Sequence, residues 1–401
     1  MSRRLRWLSD RLSALARRSI AESQPLRGTI ALCLAAVLTG PISGIRILST
    51  LARSRYLLHL IQSATSRAPL FSPSTPQLPS RVGVDRALAR SQMFCEIGLF
   101  VASLAYRERA VSLLRSSLPS GKEIVEIVRS SRTTIREGSQ ASRAPAFTGS
   151  SISIPQNVIY VGAPDLEEAE RTFQTLVRDK HVTLVGGSAF QSVSVPADAR
   201  PRSTTVVQLK LFAGTEGLWN SEDHTPEADI VYYVGRHARK IEELFQNREN
   251  INAFGLNKTK VLVFLSGPPR IAMPIPTRAL RFNPHLLLGS CQIGQRAVLD
   301  LLVAEPASLT VRGFDGYLRP QVHHRFRDEL SHRTNYLRAL NSFSGHDLFG
   351  NRELLQGLWR DGLLVPDDQT SEYLNLTNVD YATQLEVAMR VQFGSDGMGS
   401  N

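Results

Sequence analysis

From residue 157 onward, apolar positions gather in short runs that alternate with longer amphipathic stretches. N-V-I-Y-V-G-A-P (157–164) is a β-branched run closed by Gly and Pro, and it predicts a strand. After an acidic start at Asp165, residues 166–179 space their apolar side chains along one face of a helix. H-V-T-L-V-G-G-S (181–188) predicts a buried strand that runs directly into glycines. Further strands are expected at 204–212, 230–235, 261–265 and 308–313, and helices at 236–246, 295–303 and 352–361. Strands alternating with helices imply an α/β fold, a mostly parallel sheet flanked by helices on both faces. Such sheets bind ligands at the carboxyl ends of their strands.

The first 150 residues do not share this pattern. Between Arg27 and Arg46 lies an uncharged stretch, 28–45, whose length is at the lower edge for a membrane span and which contains Gly40, Pro41 and Gly44. Three readings stay open: a basic-flanked membrane anchor, a membrane-surface or transit-like segment, and a loosely helical basic extension. A second apolar run, 93–106, is interrupted by Glu96 and too short to span; it reads as a helix that packs on another element. Ser, Arg, Gly and Pro then interleave as in a linker. The expected organisation is a basic helical N-terminal extension (1–130) with a candidate membrane anchor, a linker (131–155), and an α/β domain (156–401).

Charge sharpens this division. The net charge is +11, yet residues 1–150 hold 22 Lys+Arg against 8 Asp+Glu, and residues 151–401 hold 25 against 28. The positive excess therefore belongs to the N-terminal region. The C-terminal domain lacks the basic balance of a nucleic-acid binder, so no nucleic-acid partner is expected. The three cysteines, Cys33, Cys95 and Cys291, form no C-x-x-C pair or zinc spacing, so no metal site is expected and a reducing compartment is favoured.

Three motifs could carry chemistry. V-G-G-S (185–188) ends a strand in Gly186 and Gly187, where backbone N–H groups can approach a phosphate, and Ser188 adds a hydroxyl; a plain tight turn reads equally well. In L-G-S-C-Q-I-G-Q, the loop from Gly289 and Ser290 to Gly294 opens a helix whose N-terminal N–H groups and positive dipole end suit a phosphate. The alternative is an ordinary loop–helix–strand unit leading to Gly313-Phe314. The third motif, G-H-D-L-F-G-N-R-E, places His346 before a helix, where an imidazole can take a proton from a sugar hydroxyl, with Asp347 and Glu353 close in sequence. A capping or core histidine fits as well. His323, His324, His332 and His346 cluster without H-E-x-x-H spacing.

In order and approximate spacing these motifs resemble the sialyltransferase family over roughly residues 180–365. V-G-G-S is similar to the family's V-G-N-S, Gly294 and Gly313-Phe314 to its short motif, and His346 with Glu353 to its final His…Glu motif. The chain departs from the pattern at Gly187, where the family has Asn, and at Ile293, where it has a hydroxyl residue. The family's H-x-x-x-x-E spacing falls on Asn351, and its cysteine bridge has no counterpart. The resemblance implies a Rossmann-like, GT-A-like variant. It also implies inverting transfer of a sugar from a CMP-linked donor to a glycan or glycolipid hydroxyl. His346 would be the base and Glu353 its partner. Gly186, Gly187, Ser188, Gly289, Ser290 and Gly294, with His324 or His332, would hold the nucleotide and its leaving phosphate. No D-x-D triplet is present, so a metal-independent reaction without a further cofactor is expected. From the residues themselves, a transferase using a diphosphate donor, a non-catalytic nucleotide- or glycan-binding module, and a membrane-anchored scaffold acting through its basic region also remain open.

Overall fold

The computed structural model describes residues 81–96, 98–114, 119–136, 152, 154, 157–186, 204–209, 228–233, 258–265, 267–269, 273–318, 340, 343 and 345–393. The chain forms two compact units, Met1–Met93 and Phe94–Asn401. In the first, the described residues are 81–93, within helix α1 (Arg81–Glu96).

The second unit is a nine-stranded, mostly parallel mixed sheet with helices, an α/β fold. Among the described residues its helices are α2 (Phe100–Leu114), α3 (Gly121–Ser130), α4 (Pro164–Val177), α5 (Ile293–Val303), α6 (Leu348–Arg360), α7 (Asp368–Asn375) and α8 (Asn378–Phe393). Its strands are β1 (Thr133–Arg136), β2 (Asn157–Val161), β3 (His181–Val185), β4 (Thr204–Leu209), β5 (Ile230–Tyr233), β6 (Val261–Phe264), β7 (Thr277–Phe282), β8 (Ser308–Arg312) and β9 (Val365–Pro366). They lie in the order β1-β2-β7-β6-β5-β4-β3-β8-β9. Strands β3 to β9 are mutually parallel, whereas β2 meets β7 antiparallel and carries β1 alongside it. From β3 the chain adds strands outward to β7, then returns to lay β8 on the other side of β3. The strand order reverses there, and a reversal of this kind opens a crevice at the strands' carboxyl ends.

Local chemistry accounts for the elements. Every residue of β5 and β6 is buried, as continuous apolar runs in the middle of a parallel sheet must be. Helix α4 starts on Pro164 and buries Leu166, Ala169, Phe173 and Val177, one face at three- and four-residue spacing. Helix α3 starts with a capping box between Ser120 and Glu123, and α6 and α7 are capped by Asp347 and Asp367. Helix α5 is apolar nearly all round and buries all its residues except Ile293 and Arg296.

The sheet goes beyond the sequence pattern at β1, β7 and β9. In β7, T-R-A-L-R-F, Arg278 interrupts any apolar run, yet it is fully buried. Its Nη1 donates to Asp300 Oδ2 at 2.5 Å, its Nε to Glu170, and its guanidinium lies 4.0 Å from the centre of the Phe173 ring. Asp300 also accepts from Arg132 Nη2 at 2.6 Å and from the Tyr232 hydroxyl at 2.7 Å. Burial pushes the Asp300 carboxyl up, but the Arg278 and Arg132 guanidiniums and two donated hydrogen bonds outweigh it and hold it below the usual carboxylate range. This hub ties α4, α5, β5 and β7 together with the segment ahead of β1.

The compact unit begins at Phe94, so the boundary expected at 131–155 falls inside it. Helix α2 packs on α8, α3 packs on α5 and α6, and β1 is a strand of the sheet. The apolar run at 93–106 is divided at Gly98 between α1 and α2. The strand expected at 204–212 is seen as β4; its last three residues and the helix expected at 236–246 lie outside the described residues. Among the described residues no helix is long and apolar enough to cross a membrane, and 28–45 lies outside them.

Candidate functional site

The strand reversal brings two of the three motifs together. Gly186 follows β3 and donates its N–H to Arg312 O at 2.8 Å, beside Gly313 at the end of β8. A Cβ on Gly186 would stand 2.6 Å from Gly313 O and 2.8 Å from Phe314 Cδ2. A Cβ on Gly294, in the first turn of α5, would stand 2.3 Å from Phe314 Cε1 and 2.8 Å from Cζ. These two glycines therefore clamp opposite edges of the Phe314 ring, and the space that lacks their Cβ atoms is filled from within the protein.

The N-terminus of α5 is built by the loop before it. Gln292 is the N-cap residue, but its side chain makes no cap; its Nε2 donates to the Tyr317 hydroxyl at 3.1 Å. Its backbone N–H is taken by Asn351 Oδ1 at 2.9 Å, and Asn351 Nδ2 donates to Asp347 O at 2.7 Å. Asn351, where the family spacing would put an acid, thus couples the first turn of α6 to the start of α5. Tyr317 has φ +70°, a left-handed conformation that costs an L-residue about 1 kcal/mol or more. Asp315 Oδ1 accepts its N–H at 3.0 Å, and its ring packs on Phe343 at 4.5 Å between centres.

His346 joins this loop from the other side. It forms a parallel bridge with Ser290, and a Cβ on Gly289 would meet Gly345 O at 2.7 Å, so only glycine lets the two backbones close. His346 Nδ1 lies 3.0 Å from Ser290 O and 3.3 Å from Ser290 Oγ. A carbonyl oxygen can only accept, so Nδ1 carries the proton and the basic lone pair of the neutral ring sits on Nε2. Ser290 Oγ then donates to Gly345 O at 3.2 Å. The serine is held as a hydrogen-bonded support for the imidazole rather than as an activated nucleophile.

Glu353 is placed differently. Its carboxylate is gripped bidentately by Arg107 of α2, at 2.8 and 2.7 Å, and receives Asn378 Nδ2 at 3.1 Å. Arg107 also donates to Asp347, which caps α6 through Gly350 N at 2.8 Å and accepts Leu288 N at 3.3 Å. Asp347 and Glu353 are thus a charge pair for a buried arginine, and neither is hydrogen-bonded to the His346 ring. Arg107, Glu353, Gln356 and Arg360 line a cavity of about 570 Å³ that also takes in Ser120 and Leu287.

The structure therefore brings Gly289, Ser290 and His346 together at the entrance to α5, and Gly186 and Gly294 around Phe314. Gly187, Ser188, His324 and His332 lie outside the described residues. Arg107 and Tyr317 escape the sequence pattern, and Asn351 enters it only as a position in the family spacing, because Asp347 and Glu353 for Arg107, and Gln292 for Tyr317 and Asn351, lie far along the chain. Only Tyr317 carries a local signal, the G-F-D-G turn ahead of it. Cys95 and Cys291 are free and buried, and burial pushes the Cys291 thiol up to about 12, which leaves it unreactive. Among the described residues no group of His, Cys, Asp and Glu could hold a metal ion. No protein-family model, curated protein or solved structure matches the chain.

Proposed function

We propose that the Phe94–Asn401 unit is a glycosyltransferase of the sialyltransferase kind, with a Rossmann-like, GT-A-like sheet. It transfers a sugar from a CMP-linked donor to a glycan or glycolipid hydroxyl with inversion. The observation that carries this reading is the supported imidazole at the helix entrance: His346 with Nδ1 on Ser290 O, four residues ahead of Gly294 and the strand reversal. His346 Nε2 takes the acceptor's hydroxyl proton while that oxygen attacks the anomeric carbon. The anomeric C–O bond to phosphate breaks, and CMP departs with the bonding pair toward the positive end of α5. A monophosphate leaving group carries less charge than a diphosphate, so dipoles and imidazoles suffice without a metal. The basic N-terminal region would associate the enzyme with a membrane.

The test is a thermal-shift screen of the full chain against CMP, UDP, GDP and ADP. CMP at a hundred times its Kd should stabilise the chain by about 2.7 kcal/mol. His346→Ala should then lower turnover about 10²–10⁴-fold with CMP binding retained. Full activity in that variant, or selective stabilisation by UDP or GDP with Mn²⁺, would overturn the assignment.

A second reading, a nucleotide-binding module without turnover, is favoured by the Phe314 ring. It fills the space at Gly186 and Gly294 that a phosphate-approach role would leave for the ligand. CMP binding without transfer would select it.

A further inference from the structure

The cavity of about 570 Å³ walled by α2, α3 and α6 takes in neither Ser290 nor His346, so the transfer chemistry leaves it unused. Its size suits a small organic ligand, since such pockets run from about 300 to 1,000 Å³. Three glycines border it, and two of them are required by their neighbours. A Cβ on Gly121 would stand 2.7 Å from Leu358 Cα, and one on Gly350 would stand 2.6 Å from Asp347 Oδ2. Gly357 is different. It lies inside α6, where glycine is less stable than alanine, and a Cβ there would meet only Gly121 N, at an ordinary 3.7 Å. What that Cβ would take up is cavity space. We propose that this cavity binds a neutral saccharide. Such binding is separate from the transfer reaction and needs no turnover.

The charges on the walls select the class of ligand. Arg107, with 5% of its side chain exposed, is already engaged by Asp347 and bidentately by Glu353. Arg360 is then the free cation at the rim, against Glu108 and Asp361. A nucleotide or other polyanion would meet more carboxylates than open cations, and a polyamine would meet Arg360. A sugar hydroxyl both donates and accepts, and the walls offer both functions. Glu353 Oε1 takes Arg107 Nη1 and Asn378 Nδ2, whereas among the described residues Oε2 takes only Arg107 Nη2, and the side chain is 28% exposed. Gln356 Nε2 donates to Leu374 O at 2.5 Å; a carbonyl only accepts, so the amide turns its Oε1 away from that contact. Arg360 and Glu108 are exposed and form no ion pair among the described residues, so they add donors and acceptors at the rim. Val111, Leu286 and Leu287 supply an apolar patch for the C–H face of a pyranose ring.

Saturation-transfer NMR of the full chain with lactose, cellobiose and maltose, and with CMP and spermidine as charged probes, tests this assignment. At least one disaccharide should bind the wild type. Gly357→Leu, which fills the cavity, should weaken that sugar about ten-fold or more with the melting temperature held. Arg360→Met should weaken it about ten-fold, the worth of a hydrogen bond to a charged group. Gly357→Ala is the smaller variant should leucine disturb folding; it should raise the melting temperature and still weaken the sugar. CMP binding should be indifferent to both Gly357 variants, so the transferase reading stands or falls separately. A wild type that binds none of the three sugars overturns the proposal. So do folded Gly357 variants that bind the sugar as tightly as the wild type, or a preference for CMP or spermidine over all three sugars that is lost in those variants.

Discussion

Replacing Gly294 by alanine separates a packing role from a ligand-approach role. The added Cβ would lie 2.3 Å from Phe314 Cε1, where an ordinary carbon contact is about 3.5–4.0 Å, so something must move by more than about 1 Å. The ring cannot simply slide away, because its Cδ2–Cε2 edge already faces Gly186, 2.8 Å from where a Cβ would stand there. Overpacking of this kind costs about 1–3 kcal/mol. Alanine regains about 0.5–1 kcal/mol over glycine in a helix. The net expectation is a destabilisation of about 1–2 kcal/mol, measured by urea unfolding. Phe314→Leu trims the ring, so the double variant should recover about 1 kcal/mol relative to the sum of the singles. If Gly294→Ala is neutral or stabilising, or the cycle shows no coupling, Gly294 is not there to admit the ring. A neutral variant that has lost CMP affinity would restore the phosphate-approach role.

Two other perturbations test the same architecture. Arg107→Met removes the cation that Asp347, fully buried, and Glu353 share, and leaving a buried charge without its partner costs about 3–5 kcal/mol. Denaturant unfolding should show this loss, and Asp347→Asn added to Arg107→Met should return part of it; additive losses would refute the shared pairing. Burial pushes the Glu96 carboxyl up from 4.5 to about 7, so the native state binds its proton more readily than the unfolded chain. Stability from this group is complete below about pH 4.5 and is lost as pH rises through 7. Discounted for partial exposure, the loss is about 1–2 kcal/mol. Glu96→Gln should flatten the unfolding free energy between pH 5 and 8, and an unchanged profile would count against the burial.

Sequence alone determined the class of this fold. Runs such as I-V-Y-Y and V-L-V-F can satisfy their apolar side chains only inside a parallel sheet, and the amphipathic residues 166–177 only on its face. The residues of the loop into α5 were legible too, because glycine before a helix and a histidine at a helix start are local signals. Three things were decided only by tertiary structure. The strand reversal beside β3 depends on where β8 pairs, which no local pattern encodes. Arg278, read along the chain, looks like a surface residue; only Asp300, Glu170 and Phe173, brought from other elements, make its burial tolerable. The partner of Glu353 is Arg107, 246 residues earlier, in a region whose composition sets it apart from the sheet. Periodicity reports which face a residue shows to the core. It carries no information on which distant charge will meet it there, because that choice is made by packing.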